Sequence, residues 1–204
     1  MLEKFAERFA GILIKENAIN EEEKDIYVYG IMLWITTIIG MLSVMIISAV
    51  CFKWYWGLLF LIFYTPLRVC AGGYHCNTYF WCFIVTNLVF FLNMEFVLEL
   101  VELPTIESRV LSCCILGITY LYVFLNAPVT SKENPLSARR VNKNRIRSIV
   151  VATVLIIVAI LFMVHSTGDL FAKECVSIIT STKLTVMVLM ILQKFKERRN
   201  KKNV

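Results

Sequence analysis

Six apolar runs dominate the chain, at about residues 26–52, 54–67, 78–98, 110–125, 148–165 and 175–192. Most approach or exceed the ~18–20 residues that a helix needs to cross a bilayer. With 58% hydrophobic residues, the chain is more apolar than an ordinary soluble domain. No strict alternation of apolar and polar residues supports a membrane barrel. The expected fold is all-α: one polytopic membrane domain over residues 1–204, with about six transmembrane helices.

Ahead of the first run, Leu2, Phe5, Phe9 and Leu13 recur at helical spacing among Glu3, Lys4, Glu7 and Arg8. Residues 1–19 therefore read as an amphipathic interfacial helix. The start lacks a short apolar core with a small-residue cleavage site, so no cleavable signal peptide is expected. Asn20 followed by Glu21, Glu22 and Glu23 is the pattern of a helix N-terminus. Seven cysteines lie mostly in apolar runs, where a thiol acts as a small hydrophobe, and a disulfide framework is not expected.

Basic residues set the expected orientation. The loop 126–147 and the tail 193–204 carry six Lys or Arg each. Placing both inside also brings Lys4, Arg8, Lys15, Lys24 and Arg68 inside, leaving Lys53, Arg109 and Lys173 outside. Both termini are then cytoplasmic. Lys183 falls mid-span, where a cation is costly and calls for a partner. Glu95 is the candidate; a tilted helix with a snorkelling Lys is the alternative.

The second run has 14 residues before Arg68, or about 21 Å of helix, short of a ~30 Å hydrocarbon core. The stretch after it, Pro66-Leu67-Arg68-Val69-Cys70-Ala71-Gly72-Gly73-Tyr74-His75-Cys76-Asn77-Thr78-Tyr79-Phe80-Trp81-Cys82, is expected on the cytoplasmic side, below the membrane surface. Gly72-Gly73 breaks a helix. On one continuous helix His75 and Cys82 would stand about 10.5 Å apart along the axis, too far for a base and its nucleophile. They can act together only across a bend, with Asn77 capping a helix that begins at Thr78. Four readings stand open on the residues alone. The stretch is a thiol nucleophile with its base, a helix-breaking loop with filler cysteines, a metal site from Cys70, His75, Cys76 and Cys82, or a translocation site. The metal reading lacks C-x-x-C or H-x-x-x-H spacing.

The pattern Pro66-x-Arg68-x3-Gly72-Gly73-Tyr74-His75-x6-Cys82 resembles the signature of the accessory gene regulator B (AgrB) family. Ala127-Pro128-Val129 and Asn134-Pro135-Leu136 are similar to that family's basic cytoplasmic loop. The resemblance implies a bacterial plasma-membrane cysteine endopeptidase of quorum sensing, with Cys82 as nucleophile and His75 as base. It puts the family's motif Arg and Gly on Arg68 and Gly73, with Gly72 beside them as a further supporting residue. No cofactor is implied. The expected partners are an AgrD-type propeptide and the lipid bilayer, with a homodimer compatible with the chain and no nucleic acid. The implied reaction cleaves off the acidic C-terminal part of the propeptide and closes the rest to a thiolactone or lactone. Lys132, Arg139, Arg140 and Lys143 are candidates for docking that acidic part. A peptide exporter without covalent chemistry is the rival function.

Overall fold

The computed structural model describes residues 2–16, 18–74, 78–129, 138–165 and 169–202. Seven α-helices lie among them: α1 (Leu2–Lys15), α2 (Lys24–Cys51), α3 (Trp54–Ala71), α4 (Tyr79–Glu102), α5 (Thr105–Asn126), α6 (Ala138–His165) and α7 (Leu170–Lys202). The helices from α2 to α7 are long and apolar enough to cross a membrane. The chain is thus an all-α polytopic membrane protein, as its apolar runs imply.

Two compact units divide the chain, Met1–Val44 and Met45–Val204. In the first, α1 exposes Phe5, Phe9 and Ile12 on one face, the stripe expected of an amphipathic helix. A one-turn 3₁₀ segment at Glu21–Glu23 opens α2, and the Glu23 carboxylate accepts from the Asn20 backbone N–H at 3.3 Å.

The second unit is built around α7. Two thirds of its apolar window (67%) is buried, while no other span exceeds 28%. It packs against α3, α4, α5 and α6. Ile179, Val186 and Met190 of α7 meet Leu67 and Ala71 of α3, Leu116 and Val123 of α5, and Ala152, Leu155 and Ala159 of α6. α7 also carries the buried polar residues Ser177, Thr180, Ser181, Thr182, Lys183 and Gln193. Lipid cannot hydrogen-bond such groups, so the span that carries them takes the protein interior.

Polar contacts tie the start of α7 to its neighbours. The buried Glu174 carboxylate accepts from Lys53 Nζ, from Tyr55 Oη at 2.7 Å and from Trp56 Nε1 at 3.1 Å. The next-door Lys173 Nζ donates to the Val101 carbonyl at 2.7 Å and to that of Leu103, at the end of α4. One turn of α7 therefore holds both the α3 start and the α4 end. The hydrogen bond to Glu174 raises the Lys53 ammonium above its ordinary 10.5. Its contribution is therefore complete below the unfolded-chain value and is lost only as pH rises through the raised folded value.

Several boundaries differ from those read in the sequence, three of them at the glycine turn and the basic segments. α3 continues to Ala71 rather than stopping at Leu67, with Pro66 inside and Arg68 in its last turn. Its 18 residues give about 27 Å, close to a full crossing, so a short second span is not what recesses the stretch after it. α6 begins at Ala138, which makes the second half of the basic loop helical. α7 runs on to Lys202 through most of the basic tail. Lys, Arg, Glu and Gln are good helix formers, so polarity alone did not end either helix.

Replacing Glu174 with Ala should lower stability by about 2–3 kcal/mol, because two buried donors and one ammonium lose a charged acceptor. The unfolding midpoint in detergent checks this; an unchanged midpoint would show that the cluster contributes nothing.

Candidate active site

The turn after α3 is held on three sides. Gly72 caps the helix with φ 76, its N–H reaching the Arg68 carbonyl at 3.1 Å. Val129 lies beside it in a single parallel bridge, its N–H donating to the Ala71 carbonyl at 2.9 Å. A Cβ on Gly72 would overlap the Val129 carbonyl oxygen, so glycine is required both for the backbone angle and for the approach. The Ala127-Pro128-Val129 segment, over 50 residues away in sequence, thus meets Gly72 directly. Tyr74 N–H then donates to the Leu189 carbonyl of α7 at 3.0 Å.

Arg68 forms the third side. Its Nη2 donates to the Tyr74 carbonyl, and its guanidinium occupies the space where a side chain on Gly73 (φ 137) would be. Tyr64, one turn earlier on α3, lies beside the Arg68 guanidinium. Arg68 therefore fixes the backbone of the residue that precedes His75. The Lys196 ammonium sits 5.3 Å from the Tyr74 ring centroid, a cation–π contact from the α7 tail.

Cys82 stands in the first turn of α4 and is exposed. Thr78 is the cap: its Oγ1 accepts from Trp81 N–H at 3.4 Å, and its carbonyl accepts from Cys82 N–H at 3.0 Å. The helix thus starts one residue later than the sequence suggested, with Thr78 in the role read for Asn77. The position sets Cys82 at the N-terminal, positive end of α4. Phe80 and Trp81 are exposed on the bundle surface rather than folded over Cys82.

His75, Cys76 and Asn77 lie outside the described residues, as does Lys132. The contact between His75 and Cys82 and the metal reading both rest on them. Arg139, Arg140 and Lys143 are exposed in the first two turns of α6. Further along, Arg147 comes within electrostatic reach of Cys70 near the end of α3. Cations at a helix N-terminus oppose the dipole, so this cluster does not serve the helix that carries it.

The turn meets α7 ahead of the basic tail. Leu189, which meets Tyr74, precedes the first lysine of the α7 tail, Lys194, by about 7.5 Å of helix.

Two residues were placed differently by the sequence. Glu95 is exposed and does not pair with Lys183, because α4 turns Asn93 toward α7, onto Thr185, and Glu95 lies on the opposite side of α4. Lys183 does not snorkel either; it is wholly buried. The residue that sequence reasoning missed is Tyr64. Its i,i+4 spacing to Arg68 was the available signal.

These features define a polytopic membrane protein with a glycine turn locked beside a helix-terminal cysteine. The profile of the family described as Accessory gene regulator B matches residues 6–196, and the chain belongs to that family. Membership implies a role in accessory gene regulator peptide processing. Comparisons with curated proteins and with solved structures give no match.

Gly72→Ala should cost about 1–3 kcal/mol, since it strains the backbone and displaces Val129. Gly117→Ala, in open space inside α5, should be neutral or stabilising. Thermal unfolding of the two variants side by side checks this, and equal midpoints would contradict it.

Proposed function

We propose that the protein is a membrane-embedded cysteine endopeptidase that matures a peptide signal, with Cys82 as nucleophile and His75 as its base. The reading rests on the family and on one observation: Arg68, Gly72 and Gly73 together hold the chain just ahead of His75.

Cys82 attacks the carbonyl carbon at the end of the signal segment of an AgrD-type propeptide. The C–N bond breaks, and the leaving amine takes a proton from the His75 imidazolium. The product is an acyl-enzyme thioester on Cys82 and a free C-terminal fragment. An internal Cys or Ser of the peptide then attacks the thioester, returning its proton through His75 and releasing a thiolactone or lactone. Thioester exchange is nearly balanced in energy, so cyclisation wins only if water is kept from the thioester. The docking of the turn on Leu189, ahead of the basic tail of α7, supports that exclusion. The exposed Phe80 and Trp81 assign the lipid a share of it.

Arg68 acts in this scheme as a positioning residue. Its guanidinium serves the turn in the free protein, so any contact with substrate oxygen would be additional. The exposed Arg139, Arg140 and Lys143, with Lys132, are the proposed dock for the acidic part of the propeptide. The excess of basic residues in the 126–147 loop and the tail supports a cytoplasmic side for both termini and the site, and the family supports a bacterial plasma membrane. A second copy of the chain is compatible with this scheme.

Co-expression with the propeptide tests the proposal. Cys82→Ala and His75→Ala should each abolish release of the C-terminal fragment while the protein remains in the membrane, and Cys76→Ala should not. Arg68→Lys, which cannot reproduce the guanidinium fork, should slow cleavage about tenfold or more. Cleavage that persists in Cys82→Ala would end the enzyme reading and favour an exporter acting beside another peptidase.

A further inference from the structure

Lys183 is the least explained group in the fold. It lies in the middle of α7, fully buried, and among the described residues its Nζ has no hydrogen-bond partner. A cation within a span is expensive unless something of opposite sign or a polar cavity meets it. The Tyr120 ring of α5 is nearest, with its centroid 5.6 Å from Nζ. That ring's hydroxyl in turn accepts from Thr153 of α6 at 3.3 Å. Nζ therefore faces the region where α5, α6 and α7 meet.

No carboxylate is placed to answer it. The sequence has no Asp or Glu in residues 54–71 of α3, 110–126 of α5 or 148–164 of α6. On α4, Glu95, Glu99 and Glu102 are exposed. On α7, Glu174 is taken by Lys53, Tyr55 and Trp56.

Other unanswered donors lie at similar depth. Ser112 Oγ of α5, and Ser177 Oγ and Thr180 Oγ1 of α7, are buried without a partner among the described residues. α5 and α7 run the same way, since Lys173 and Arg109 share one end and Asn126 meets Lys194 at the other. A helical side chain leans toward its own N-terminus, so the Lys183 stem rises toward Thr180, with Ser177 a turn beyond. Ser112 stands about 12 Å before Tyr120 on α5, and Ser177 about 9 Å before Lys183 on α7.

A way in is also present. A cavity of about 220 Å³ between α5, α6 and α7 is lined by Ser108, Arg109, Met163, Lys173 and Val176 among others. Ser108 is one turn from Ser112, and Val176 lies two turns from Lys183 on the same stripe of α7. Two cations, Arg109 and Lys173, line the cavity with one carboxylate, Asp169, and Val176 carries its wall onto the stripe of α7 that holds Lys183.

An ammonium unpaired among the described residues, with unpaired hydroxyls leading toward it, is a donor set that an acceptor of negative charge satisfies. We propose that Lys183, with Thr180, forms a buried site for one small monovalent anion, entered from the cavity beside Arg109 past Ser112 and Ser177. The site lies away from the Gly72 turn and does not depend on the peptidase chemistry.

The test uses the purified full-length protein in nanodiscs. The unfolding midpoint is followed as chloride or formate replaces gluconate at constant ionic strength. Chloride, formate or both should raise it saturably, on the order of 5 °C once the site is full. The ion that responds names the class bound. Lys183→Met should abolish the response, and Thr180→Val should move its half-saturation to higher concentration. A wild-type midpoint that is the same in all three salts would overturn the proposal, because Lys183 would then be a neutral amine that needs no counter-ion. A response retained in Lys183→Met would overturn it equally. The wild-type titration decides even if Lys183→Met does not fold.

Discussion

Within residues 45–204 the bundle depends on the cost of placing hydrogen-bonding side chains in hydrocarbon. α7 carries Ser177, Thr180, Ser181, Thr182, Lys183 and Gln193, all buried. A helix with those residues cannot face lipid, so α3, α4, α5 and α6 close around it. Once α7 is the axis, the rest is positioned by what it grips. Lys173 and Glu174 hold the neighbouring helices at one end, and the Leu189 carbonyl holds the glycine turn nearer the other.

That turn is where fold becomes site. Gly72 and Gly73 lack the atoms that would exclude Val129 and Arg68, and both neighbours use the space. The turn is consequently set by three distant parts of the chain: Val129 after α5, Leu189 on α7 and Arg68 on α3. In the proposed scheme this turn fixes the chain as far as Tyr74, the residue before the proposed base.

Much of the fold was legible because long apolar runs have few alternatives in a membrane. The helix break at Gly72-Gly73 was legible as well, since a glycine pair interrupts an apolar run. Centrality was not. α7 reads as a span no weaker than α3, α4 or α5, and only packing shows that Lys183 and its hydroxyls mark the interior. The extent of α3 was missed because Pro66 and Arg68 look like a stop, yet a Pro near a helix end and a long Arg stem are both tolerated there. The link between Gly72 and Val129 is one bridge across more than 50 residues, and no periodicity announces it. Pairing Lys183 with Glu95 failed because it matched charge and depth but not the face of α4.

The central claim is covalent chemistry at the start of α4, and it is tested most directly on the intermediate. The purified protein would be incubated with a propeptide whose internal nucleophile is replaced by Ala, so that ring closure is blocked. Intact mass and peptide mapping should then find the part of the propeptide N-terminal to the cut attached to Cys82, through a bond that neutral hydroxylamine removes. Release of the C-terminal fragment with no adduct, or an adduct on Cys70 or Cys76 instead, would contradict it.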